Sequence, residues 1–208
     1  MAMRKTGTGR APGRPKNTDQ PGSMRETVLA VASRLFMRHG YKPVSVNQIA
    51  EEAGVTKASV YYYFPNKAAL FAAAVTEMMK RIGEVSTRIL SGGGSLPERL
   101  ETIAKANMAG SRAEFETMMR EALPFLSEQQ QEEIRQAEHG VHAVLAECFA
   151  KAIAAGEMAS GLSPMLLAYS FSALMLVGNR QNAVLEEPAD DLPRRIVELF
   201  WSGAGPRG

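Results

Sequence analysis

The densest run of side chains equipped for chemistry is Lys57 to Tyr63, KASVYYY. An ammonium, a methyl and a hydroxyl stand together at Lys57, Ala58 and Ser59, and three phenols follow at Tyr61, Tyr62 and Tyr63. The run holds no His, Asp, Glu or Cys, so it offers no acid–base pair and no activated nucleophile. It suits contact with a DNA duplex instead. A lysine can donate to guanine O6 and N7, and an alanine methyl can lie against a thymine methyl. Tyrosine hydroxyls can donate to phosphates, a contact that positions without specifying sequence. Packing is the alternative for each tyrosine, Tyr63 above all. Three consecutive tyrosines cannot all face one core, because only residues three or four apart share a helix face.

These residues need a scaffold, and Ser45 to Phe64, SVNQIAEEAGVTKASVYYYF, supplies one. Ser45 with Gln48 three residues on is a capping-box pattern. It opens a helix over about Val46 to Ala53, with Ile49, Ala50 and Ala53 on its inner face. Gly54 suits a chain leaving a helix through a left-handed residue. Val55 plugs the turn. Thr56 can cap a second helix from about Lys57 to Phe64, anchored by Val60 with Tyr63 or Phe64. Ala50 is small where two helices joined by a short turn must approach closely. The pattern is a helix-turn-helix, whose second helix lies in the major groove with its N-terminal residues toward the bases.

The run IAEEAGVTKASVYYYFPNKAAL resembles the TetR family of bacterial transcriptional regulators, through Ile49, Ala50, Ala53, Gly54, Val55, Tyr61, Phe64, Lys67 and Leu70. The resemblance covers about Arg25 to Leu70; beyond it, only size and helical pattern agree. It implies an all-helical homodimer, usually a repressor that leaves a pseudo-palindromic operator when a small ligand binds. It also implies phosphate contacts at Ser45, Tyr61 and Lys67, and base contacts at Asn47 and Lys57 to Ser59. The sequence departs from the family at Ala58, where glycine or proline is common, and at Ala68, where an acidic residue is common.

Charge is distributed to match. The net +2 of the 208 residues conceals 11 Lys or Arg against 4 Asp or Glu in residues 1–70, and 13 against 18 in residues 71–208. A basic third carrying the helix-turn-helix is the footprint of a polyanion partner. Residues 1–23 read as a flexible basic arm, rich in Gly, Pro and Thr. Within it, Gly13-Arg14-Pro15-Lys16 resembles an AT-hook core, in which Arg14 and Lys16 would enter an A·T minor groove. A merely solvated basic tail is the alternative. The one cysteine, Cys148, excludes an internal disulfide. It lies on an apolar helical stripe, so packing is its expected role. No signal-peptide core and no run of 18 apolar residues is present, so a cytoplasmic protein without membrane contact is expected.

The remaining periodicity is helical throughout. Helices are expected over about Arg25–His39, Lys67–Leu90, Leu96–Met108, Ala113–Leu123, Glu128–Ala155, Pro164–Leu185 and Leu192–Trp201. With the two of the helix-turn-helix, these make an all-α chain of about nine helices. Residues 24–70 would form the three-helix DNA-binding head, and residues 71–208 a helical effector-binding and dimerisation domain. The eighth helix is apolar around most of its circumference and must be covered on two sides. A homodimer interface is therefore expected from Leu174, Gly178, Leu192, Ile196, Leu199 and Phe200. The C-terminal part is rich in methionine, which adapts to irregular apolar spaces. A mostly apolar effector pocket is expected from Met78, Met108, Phe115, Met119, Phe125, His142, Phe171 and Met175, with core packing the alternative for each.

His139 and His142 share a helix face beside Glu138, but two nitrogens do not complete a zinc site. No metal or cofactor is expected. An enzyme is not expected either: no HExxH, GxSxG, Walker or Cys/His nucleophile signature occurs. The competing reading is an effector-independent or architectural DNA-binding protein.

Overall fold

The computed structural model describes residues 21–108, 112–159, 161–180, 188 and 190–205. Among them are nine α-helices and no strand, so the chain is all-α. In order, they are α1 Pro21–His39, α2 Val46–Glu52, α3 Lys57–Tyr63, α4 Lys67–Leu90, α5 Leu96–Met108, α6 Arg112–Ala122, α7 Glu128–Ala154, α8 Pro164–Arg180 and α9 Leu192–Ala204. No helix among these residues is long and apolar enough to cross a membrane.

Several ends differ from the sequence expectation. Helix α1 starts at Pro21, four residues early; proline fits a first turn, where its missing N–H is no loss. Helix α6 passes into a 3-10 turn, Leu123–Phe125, because Pro124 cannot continue the α-helical bonding. Helix α9 runs three residues past Trp201 to Ala204, and the Gly205 N–H then donates to the Trp201 carbonyl at 2.7 Å. Residues 181–185 of the expected eighth helix, and Arg14 and Lys16 of the arm, lie outside the described residues.

Two hydrophobic cores form, and α4 threads both. The first joins Leu29 and Phe36 of α1, Ile49 and Ala50 of α2, Val60 of α3 and Phe71 of α4. At its centre Phe71 meets Phe36 and Tyr41 edge-on, with ring centroids 5.1 and 5.0 Å apart. Edge-to-face aromatic pairs add about 0.5–1.5 kcal/mol beyond their burial. This core also takes Met118 and Ala122 from α6 and Ile134 from α7. It therefore draws on both sides of position 70, which itself falls inside the continuous helix α4. The second core gathers Leu90, Leu100, Phe149, Phe171 and Phe200. Over its 24 residues, α4 spans about 36 Å at 1.5 Å per residue, a rigid connection from one core to the other.

Candidate nucleic-acid interface and adjoining cavity

The turn between α2 and α3 is built by backbone bonding. Gly54 adopts φ +67°. Its N–H donates to the Glu51 carbonyl at 3.1 Å, and the Val55 N–H to the Ala50 carbonyl at 3.0 Å. That pair of bonds is a Schellman close, and glycine is the residue that adopts it without strain. Thr56 then caps α3: its Oγ1 accepts from the Ser59 N–H at 3.0 Å and lies 2.8 Å from Ser59 Oγ. Across the turn, Ser45 Oγ accepts from the Gln48 N–H at 3.1 Å. The capping box expected there is half formed, since Gln48 does not reach back. The complete box opens α7 instead, between Ser127 and Gln130.

This scaffold leaves one edge of the head free. Ser45, Asn47, Lys57 and Ala58 are exposed, and Ser59 is half-buried against its cap. Tyr61 and Tyr62 are 42% and 82% exposed, so neither spends its hydroxyl on the core. Tyr63 packs partly against the first core and edge-on to Tyr62, with centroids 5.0 Å apart. For Tyr63 the packing alternative thus has direct support. Lys57 Nζ lies 5.8 Å from the centroid of the Tyr61 ring, which draws the base-reading and phosphate-binding candidates into one cluster.

Lys67 sits differently from the rest. It is half-buried; its Nζ donates to the Lys42 carbonyl at 3.1 Å and lies 4.4 Å from the centroid of the Tyr41 ring. Burial pushes its pKa down, against an upward pull from the Glu121 carboxylate. Glu121, on α6, also accepts from the Lys42 N–H at 3.3 Å. Sequence reasoning missed this link between α6 and the head, because no local pattern pairs residues 79 apart.

A cavity of about 450 Å³ opens beside α4. Four of the expected effector residues line it: Met78, Phe115, His142 and Met175. The other four do not. Phe171 is fully buried in the second core, and Met108 packs against that core. Met119 packs against the first core, while Phe125 is 58% exposed, its ring 5.5 Å from that of Tyr41. These four follow from helix phase: each turns toward an existing core or outward, not into the gap. His142 Nδ1 donates to the Glu138 carbonyl at 3.0 Å, so that nitrogen carries the proton, and the ring stacks on Tyr169 at 4.2 Å. Leu29, Ala30, Ser33 and Met37 of α1 also line the cavity. Treating α1 as part of the head alone hid them.

Comparison with known proteins bears on residues 28–74, which match the model for bacterial regulatory proteins of the tetR family. The match spans 47 of the 208 residues and makes this region similar to the TetR family. A similar relative is the HTH-type transcriptional regulator LmrA of Bacillus subtilis, 45% identical over 62 residues. That match covers 29% of this chain and 33% of LmrA, about a third of the relative's length. Similar solved structures include reduced NemR of E. coli, with TM-score 0.73 and 20% identity over 88% of this chain and 98% of NemR. FadR of Bacillus subtilis, in complex with stearoyl-CoA, gives TM-score 0.68 at 20% identity over 86% and 98%. At such identities these structures show a shared fold and nothing further.

The expected interface side chains divide between buried and exposed positions. Leu192, Ile196 and Phe200 are buried in the chain's own second core, with Phe200 ring centroids 5.6 Å from Phe149 and 5.1 Å from Phe171. They belong to the face of α9 that packs inward together with Pro193, Val197 and Ala204. Leu199 is 62% exposed and Leu174 half-buried; the surroundings of Gly178 lie outside the described residues.

Proposed function

We propose that this chain is a DNA-binding transcriptional regulator that binds a pseudo-palindromic operator as a homodimer. It acts as a repressor in the cytoplasm, and a small, mostly apolar or aromatic effector releases it. The observation that carries this is the exposed N-terminal end of α3, where Lys57 and Ala58 stand clear of a helix fixed by the Thr56 cap and the Gly54 turn. A helix so placed presents its first residues to base edges. The family model for bacterial regulatory proteins matches residues 28–74, which contain this helix. The cavity beside α4 supports the effector part, since it touches both the α1 helix of the head and the second core.

Selection of the purified protein against sheared DNA of its source genome, at physiological salt, tests the proposal. Enrichment of a short two-fold-related sequence is expected, because two heads read two half-sites. Uniform recovery with a steep salt dependence would instead mark an architectural binder held by phosphates alone.

A further inference from the structure

Lys42, in the loop between α1 and α2, is held at both ends of its backbone. Its N–H donates to Glu121 Oε2 at 3.3 Å, and its carbonyl accepts from Lys67 Nζ at 3.1 Å. Helix α6 supplies the carboxylate and α4 the ammonium. Packing places the carboxylate. Met118 and Ala122 are fully buried in the first core, and Glu121, three residues from Met118, shares that side of the helix. The loop makes room for it. Gly40 holds φ +83°, and a Cβ there would lie 3.2 Å from Glu121 Oε2, closer than ordinary packing. The Lys67 ammonium is half-buried over the Tyr41 ring, whose face attracts a cation. The Glu121 charge adds to that attraction. A lysine is a point charge on a flexible stem, so the same ammonium can swing outward. Lys42 and Ser45 of this loop are exposed, and the family resemblance implies a phosphate contact at Ser45 as well as at Lys67.

We infer that Glu121 lowers the DNA affinity of the head by keeping the Lys67 ammonium on the Lys42 carbonyl instead of on a phosphate. The inference rests on the DNA-binding reading proposed above, with Lys67 as a phosphate contact. Glu121 acts as a positioning residue, through Lys67 and without touching DNA. Three attractions hold the ammonium inward: the Lys42 carbonyl, the Tyr41 face and the Glu121 charge. The last can be removed alone, because glutamine at position 121 keeps an oxygen for the Lys42 N–H and loses the charge. Glu121 and a phosphate compete for one positive charge, so the head binds as if it carried fewer lysines than it does. A partly exposed charge pair is worth about two- to fivefold, and two heads on one operator make that about four- to twenty-five-fold. Each ammonium freed for a phosphate also releases counterions, steepening the salt dependence by up to about 0.9 per head.

The test uses the full chain and a fragment recovered from the genomic selection. Affinity is read by fluorescence anisotropy from low to physiological salt, and Tm by calorimetry. Glu121→Gln should bind about four- to twenty-five-fold more tightly than wild type, with nearly unchanged Tm. Its plot of log affinity against log salt should be steeper, by up to about 1.8 for two heads. Lys67→Gln should weaken binding, and adding Glu121→Gln to it should bring no gain. Glu121→Ala removes the acceptor for the Lys42 N–H as well; it should lower Tm and still steepen the salt dependence. Glu157→Gln makes the same charge change at an exposed position after α7 and should alter neither affinity nor slope. An unchanged or weaker affinity in Glu121→Gln, an unchanged slope, or the same gain with and without Lys67 would overturn the inference. The last result would mean that the carboxylate repels phosphate directly. Specific DNA binding by the wild-type chain survives each of these outcomes. A failure to recover specific DNA would sink the regulator reading, and this inference with it.

Discussion

Removing one hydroxyl from Thr56 should weaken DNA binding out of proportion to its effect on folding. Helix α3 has seven residues, far below the length at which an isolated helix is stable, so its first turn depends on its cap. Thr56→Ala removes the 3.0 Å bond from the Ser59 N–H and the 2.8 Å contact with Ser59 Oγ. Loss of an N-cap costs about 1 kcal/mol, up to about 2. In a chain of this size, that lowers Tm by roughly 2–4 °C per kcal/mol. The frayed turn carries Lys57, Ala58 and Ser59, so docking must re-form it, and affinity should fall about five- to tenfold. Thr56→Ser should restore both properties. Ser127→Ala is the control: it breaks the capping box of α7, with a similar loss of Tm and no loss of DNA affinity. Calorimetric melting and fluorescence anisotropy on the selected site give the two readouts. Wild-type affinity in Thr56→Ala, or equal weakening in Ser127→Ala, would refute the assignment of the Lys57 end as the contacting end.

Further outcomes follow from single positions. Phe71 is fully buried between Phe36 and Tyr41, and Phe71→Ala should cost about 3–5 kcal/mol in denaturant unfolding; less than about 1 would mean the ring is not central. Gly54→Ala meets no atom within 4 Å but must hold φ +67°, so its loss is backbone strain of about 1–2 kcal/mol, and stability unchanged by the substitution would contradict that turn. Burial pushes the Cys148 thiol pKa up, against the smaller pulls of Arg99 and Lys151. The thiolate is therefore scarce at neutral pH. Alkylation should be slower than for a peptide cysteine and still rising with pH above the ordinary thiol range; a plateau below that range would reverse the sign.

The helix-turn-helix was legible because its constraints are local. Ser45, Gly54 and Thr56 each act through backbone atoms no more than three residues away. Helix number and type followed from periodicity for the same reason. What escaped depended on phase and distance. Leu192, Ile196 and Phe200 form an apolar stripe, but a stripe cannot tell its own core from a partner's. Phe171 and Met175 stand four apart on α8 and both are buried in the second core, yet only Met175 also lines the cavity. The α1 wall of that cavity was readable in part, since Ala30, Ser33 and Met37 recur at three- and four-residue spacing. Only the packing of α1 on α4 reveals that this face borders a void.

The central claim is that the Lys57 end of α3 reads bases. The most direct measurement is a base-by-base substitution profile of the selected site, for the wild-type chain and Lys57→Ala. The account predicts a loss of about 1–3 kcal/mol at the preferred site and a flattened preference at one base pair of each half-site, with the others unchanged. An identical profile for both proteins, or a uniform weakening at every position, would contradict it.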